Sequence, residues 1–252
     1  MRTTLLLLVS FFSFLNQQSI QKTNKGNILF VTSNQKIYGN TDKKTANHFS
    51  EIVYAYEEFV KAGYHVDFVS PKGGEIPIGY LKKYDSLQQK YLNDKAFMNL
   101  LKNTFKPAQI NASNYKAVYY SGGGAAMFGV PENSSIQNIS RKIYENKGVV
   151  SAVCHGTAGI ANLKNSKGNY LYATKKITGF PDKFENKKAP YFQTFPFSIQ
   201  EKITENGGDF QYSEQGWDNF VIVDGQFITG QDPTASATVA KKVIEFLKKN
   251  HN

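Results

Sequence analysis

The stretch "GVVSAVCHGTAGIANL", residues 148–163, decides the fold. An apolar run at 149–153 ends on Cys154 and His155, then Gly156, then a segment of small residues. A short run of this kind, bounded by glycine, reads as a buried strand, followed here by a sharp turn and a helix. A side chain at such a turn stands exposed at the sheet edge, the setting of a nucleophile. Gly156 lets the backbone approach closely, and the helix dipole and free amides beyond Cys154 are expected to lower the thiol pKa. A small buried residue is the commoner fate of a lone cysteine at a strand end, but the turn favours the nucleophile.

Outward from this stretch, strands and helices alternate. "NILFVTSN" (27–34), "HVDFVSPKGG" (65–74) and "YKAVYYSGGG" (115–124) read as strands ending in turn formers. "ANHFSEIVYAYEEFVKAGY" (46–64) places Ile52, Tyr56, Phe59 and Val60 on one helical face and stops at Gly63. Further helices are expected over 86–103, over 134–146 and at the carboxyl end over 235–250. This alternation implies parallel βαβ units, hence an α/β three-layer sandwich of flavodoxin-like type with a mostly parallel central sheet. The Asp224-Gly225 turn marks an added β-hairpin. In such sheets the sites lie at the carboxyl ends of the strands, where Ser33, Gly122 to Gly124 and Cys154 all fall.

The whole chain of 252 residues, 40% hydrophobic, suits a single domain over 26–252. Its start, "MRTTLLLLVSFFSFLNQQ", has a basic residue, an apolar run and a polar stretch, the layout of a signal peptide over residues 1–19. Export follows, periplasmic or secreted, with an uncleaved anchor as the alternative. A formal charge of +10 could suit nucleic acid, yet the lysines are scattered rather than interleaved with aromatics. A solvated basic surface is the reading, with no nucleic-acid partner. No cofactor is implied, and four scattered histidines give no metal-ligand spacing.

"AVCHGTAG" (152–159), "SGGGAAMFGVPEN" (121–133), "EEFVKAGYHVDFVSPKGG" (57–74), "ITGFPDKFE" (177–185) and "DGQFITGQDPTAS" (224–236) together resemble the ThiJ/PfpI superfamily, with its class I glutamine amidotransferase-like fold. Within it they are most similar to the chaperone and glyoxalase III branch. True amidotransferases take a late His-x-Glu, and none of His48, His65, His155 and His251 stands before an acid at that place. The resemblance therefore implies Cys154 as nucleophile, His155 as base, and Glu185 behind it, with Asp182 as the rival acid. It also implies Glu51 beside the sulfur, protonated because a carboxyl buried near a thiolate has a raised pKa. The Gly123 and His155 amides would form the oxyanion hole. Glu57 and Glu58 read as helix surface, and His48 as pocket lining or surface equally.

The implied activity is a cofactor-independent conversion of small reactive aldehydes such as methylglyoxal to hydroxy acids. A holdase or redox-sensing protein with unfolded clients is the alternative, and a cysteine peptidase or amidase the third reading. Many relatives are homodimers, which makes self-association an expectation. Two departures stand out: Gly124 where the family commonly has histidine, and Thr157 where it commonly has proline. Both are expected to bear on substrate preference.

Overall fold

Period-two alternation along the strands builds the two halves of the core. A computed structural model describes residues 25–250; the expected signal peptide, residues 1–19, lies outside the described residues. The chain runs β1 (Asn27–Val31), β2 (Asn47–His48), α1 (Phe49–Lys61), β3 (His65–Val69), β4 (Ile78–Gly79), α2 (Ser86–Asn93), α3 (Lys95–Lys102) and β5 (Tyr115–Tyr120). It continues through α4 (Ser134–Glu145), β6 (Val149–Val153), β7 (Lys176–Ile177), α5 (Ile199–Glu205), β8 (Asp209–Phe210), β9 (Val221–Asp224), β10 (Phe227–Gly230) and α6 (Ser236–Asn250).

Six strands form the central sheet in the order β3-β1-β5-β6-β10-β9, parallel except for β9. Counting only the parallel strands, the order is the flavodoxin-like one. Ile28 and Phe30 of β1 and Tyr119 of β5 face the layer that holds α1, α3 and α6, while Leu29, Val31, Val118 and Tyr120 face the layer of α4 and α5. Each fully buried side chain of this size contributes about 1.5–3 kcal/mol. The two layers are what hold the carboxyl ends of β1, β5 and β6 side by side.

Three expectations are corrected by the structure. Helix 86–103 is two helices, because Asp94 adopts an extended conformation and its carboxylate accepts the Ala96 and Phe97 amides at 2.9 and 3.0 Å, capping α3 afresh. The hairpin at Asp224-Gly225 is no addition: β10 pairs with β6 through Phe227↔Val150 to Gly230↔Val153 and so completes the central sheet. The segment after Cys154 is a short 3-10 helix, Cys154–Ile160, rather than an α-helix. On α1, Ile52 and Phe59 are fully buried as expected, while Tyr56 and Val60 pack at the margin of the core.

Candidate active site

β6 delivers Cys154 at its carboxyl end with φ +56°, a left-handed conformation that a side chain rarely adopts and that costs about 1–3 kcal/mol. The turn requires Gly156: a Cβ there would lie 2.3 Å from the Tyr120 carbonyl oxygen. Contrary to the expected exposure, the thiol is buried, Cys154 being 3% accessible. Nor is its pKa lowered. A 3-10 turn presents no extended helix dipole, and burial first, then the Glu51 carboxyl, pushes the thiol well up, with the His155 backbone N–H on the sulfur opposing them. The resting sulfur is therefore a neutral thiol that needs a base.

His155 is placed to be one. Its Nδ1 lies 3.4 Å from Cys154 Sγ, and its Nε2 lies 2.7 Å from Glu185 Oε1. A carboxylate accepts the Nε2–H, which fixes the tautomer and leaves the Nδ1 lone pair facing the sulfur. The imidazole stacks on Phe180 with ring centroids 4.7 Å apart and meets the edge of Phe195 at 5.5 Å. Asp182 is occupied elsewhere, accepting from Ser198 at 2.6 Å and from Lys187 at 2.9 Å.

On the other side of the sulfur, Glu51 of α1 is completely buried. Its Oε2 accepts the Gly122 N–H at 2.6 Å, and Oε1 has no nitrogen or oxygen partner, His48 Nδ1 standing 4.0 Å away. Burial pushes the carboxyl up to about 8, against the pull of the Gly122 amide and the Cys154 thiol, so it is protonated at neutral pH. The Gly122 amide goes to Glu51 and the Gly124 amide to Tyr80 Oη at 3.1 Å. Gly123, at φ +87°, lines the cavity beside His155, where its amide has no acceptor among the described residues.

These groups open on a cavity of 350 Å3 walled largely by aromatic side chains, Phe180, Phe195 and Trp217 among them. His48, for which sequence left two placements, lines it: the ring stacks on Tyr80 at 4.5 Å, its Nδ1 pairs with Ser50 Oγ at 2.9 Å, and burial first, then Lys82, lowers its pKa to about 4. Thr157 does not reach the cavity. It is buried and donates to the Thr178 carbonyl at 3.1 Å, so that departure from the family pattern is a packing matter. Glu57 and Glu58 pair with Lys61 and Lys241 at 3.1 and 3.6 Å, away from the site.

Sequence reading missed Tyr38, Tyr80, Trp217 and Asp232. The first three lie on loops with no periodic signal; Asp232 sits in a quoted motif, where it accepts the Trp217 amide at 2.8 Å and fixes that wall.

The model of the DJ-1/PfpI family matches residues 45–246. The chain belongs to the DJ-1/PfpI family. Over 216 residues it is 32% identical to a glutathione-independent glyoxalase of Schizosaccharomyces pombe, covering 81% of this chain and 90% of that protein. Glyoxalase 3 of Candida albicans is 30% identical over 231 residues, covering 86% of this chain and 96% of its own. The crystal structure of glyoxalase III from Candida albicans superposes with a TM-score of 0.78 at 28% identity, over 88% of this chain and 97% of that one. Rapid encystment protein 24 kDa of Francisella tularensis gives a TM-score of 0.82 at 31% identity, over 88% and 99% of the two chains. The three-layer fold is thus shared with these structures over 88% of the chain.

Proposed function

We propose that this DJ-1/PfpI protein is a glutathione-independent glyoxalase that converts small 2-oxoaldehydes such as methylglyoxal to 2-hydroxy acids. The observation that carries the reading is the row Glu51, Cys154, His155, Glu185 at the cavity, in a chain 30–32% identical to named glyoxalases over 90–96% of their length. His155 Nδ1 takes the thiol proton, and Glu185 stabilises the imidazolium. The sulfur adds to the aldehyde carbon and, losing its charge, releases the His155 N–H, which with the Gly123 N–H receives the carbonyl oxygen as it is protonated to give a hemithioacetal.

The aldehyde carbon then loses its hydrogen as a proton, and the adjacent carbon gains one. That carbon is reduced to a carbinol while the first becomes a thioester, so no external oxidant or reductant is used. Glu51 and His155 are the groups in reach to move these protons. Water finally cleaves the thioester, releasing the hydroxy acid and restoring the thiol. The leader-like composition of residues 1–19 supports an exported location for this activity.

A sulfur only 3% accessible, under an aromatic cavity of 350 Å3, suits a small molecule better than the polypeptide that a peptidase or a holdase must engage. The test is formation of lactate from methylglyoxal by purified protein without glutathione. Activity that Cys154→Ala abolishes supports the reading; no lactate, or an equally active Cys154→Ala protein, overturns it.

A further inference from the structure

Two phenols converge where Gly124 leaves no room for a side chain. A Cβ at Gly124 would lie 2.3 Å from Tyr38 Oη and 2.7 Å from Thr45 Oγ1. Tyr38 is held there by the rings of Tyr191, Phe195 and Phe128, at 5.1, 6.0 and 6.5 Å. Tyr80 comes from the opposite side, stacked on His48, with φ +58°. Strained backbone of this kind persists where the surroundings hold it, commonly at a functional position. The two hydroxyls meet at 3.3 Å and both tyrosines line the cavity that holds Cys154 and His155.

Counting hydrogens shows what the pair offers. Two phenols carry two O–H hydrogens, and their mutual bond uses one. The Gly124 N–H occupies an acceptor site on Tyr80 Oη at 3.1 Å and supplies no acceptor in return. One O–H is therefore left without a partner among the described residues, beside the cavity. The mutual bond is itself long for two hydroxyls, which usually sit at about 2.7–2.8 Å, so it is readily given up to a better acceptor. Burial, with Tyr38 next to it, drives Tyr80 further above the ordinary phenol range, so Tyr80 keeps its proton and can donate it.

We propose that the Tyr38–Tyr80 hydroxyl pair is the subsite for the second carbonyl oxygen of a 2-oxoaldehyde substrate. This rests on the glyoxalase reading. Once the aldehyde carbon is bonded to sulfur, the adjacent carbonyl oxygen is the atom on which negative charge builds while the proton moves between the two carbons. A donor fixed there before the reaction stabilises that charge without reorganising. The pair thereby selects substrates carrying a second carbonyl next to the aldehyde.

The experiment compares wild type with Tyr38→Phe, Tyr80→Phe and the double variant, all of which keep the rings. The double variant is expected to lose roughly 10²-fold or more in kcat, with each single variant losing less because one hydroxyl remains. Acetaldehyde, which has no second carbonyl, should protect Cys154 from alkylation equally in all four proteins. Acetohydroxamate, a planar mimic of the charged intermediate, should inhibit wild type and bind the double variant at least about tenfold more weakly, a loss that a purely structural role would not produce.

A folded double variant with kcat within about twofold of wild type overturns the inference. If the double variant does not fold, the wild-type tyrosine ultraviolet difference spectrum on adding acetohydroxamate decides: a change supports the subsite and none defeats it. Wild-type protein that makes no hydroxy acid defeats the glyoxalase reading instead, so the two failures are separable.

Discussion

Glu51 Oε2 accepts the Gly122 N–H at 2.6 Å across 71 residues of sequence, tying α1 to the loop after β5 and holding an acid against the Cys154 sulfur. Burial raises this carboxyl from 4.5 to about 8, so between those values the folded protein keeps a proton that the unfolded chain has released. Stability that is full below pH 4.5 is thus lost as pH climbs to about 8. His48 acts in the opposite sense: lowered from 6.5 to about 4, it contributes stability above pH 6.5 that is lost as pH falls toward 4.

The two slopes oppose each other between pH 4.5 and 6.5, and Glu51 acts alone above that. Urea denaturation should show near-constant stability in the lower window and a fall of up to ~1.4 kcal/mol per pH unit from 6.5 to 8. Glu51→Gln, which mimics the protonated acid, should abolish the fall and uncover the rising limb due to His48. A wild-type curve that stays flat above pH 6.5 would contradict a buried protonated acid at this position.

The left-handed φ of +56° at Cys154 predicts an inverted order of stability between two inactive variants. Glycine ordinarily costs about 0.5–1 kcal/mol relative to alanine within a regular element, but it relieves the strain at a positive φ. Cys154→Gly should therefore be at least as stable as Cys154→Ala, by up to about 1 kcal/mol in urea midpoints. An alanine variant clearly more stable than the glycine one would show that the turn stores no strain there.

Much of the frame is legible from local pattern. The apolar run 149–153, the buried face of Ile52 and Phe59, and the glycine at 156 each act over a few residues, so periodicity and turn chemistry reveal them. Pairing of β10 with β6 is not local, since Phe227 and Val150 meet only after the sheet is assembled, and the hairpin therefore read as an addition. The break at Asp94 is a cap competing with a helix that the flanking residues alone would continue. Thiol burial likewise depends on α1 and on the aromatic loops, which is why turn chemistry alone suggested an exposed, acidic thiol. Tyr38, Tyr80 and Trp217 reach the cavity from irregular segments, two of them with positive φ, and no spacing in the sequence announces them.

Two neighbouring acids should separate cleanly. Glu185 accepts from His155 Nε2 at 2.7 Å, whereas Asp182 is held by Ser198 and Lys187. Glu185→Gln keeps the shape but lets the amide stabilise the wrong imidazole tautomer, so kcat on methylglyoxal should fall by roughly 10²-fold or more. Asp182→Asn should leave kcat nearly unchanged, with a loss of stability of about 1 kcal/mol from the weakened Ser198 hydrogen bond. Equal losses of activity in the two variants would mean that the Glu185 contact does not orient the base.

Gly124 tests whether Tyr38 is what excludes a side chain there. A Cβ would meet Tyr38 Oη at 2.3 Å and Cε1 at 2.5 Å, and the ring cannot swing away cheaply because Tyr191, Phe195 and Phe128 pack around it. Gly124→Ala should cost about 1–3 kcal/mol through overpacking. Tyr38→Ala removes the obstacle, so in the double variant the penalty at position 124 should shrink, giving a coupling of about 1 kcal/mol or more in a double-mutant cycle read by urea denaturation. Strict additivity would place the obstacle elsewhere, with Thr45 Oγ1 at 2.7 Å the next atom in line. Coupling of the expected sign would mean that a side chain at position 124 and the phenol of Tyr38 compete for one volume, so that glycine at 124 is what lets the Tyr38 hydroxyl stand at the rim of the cavity.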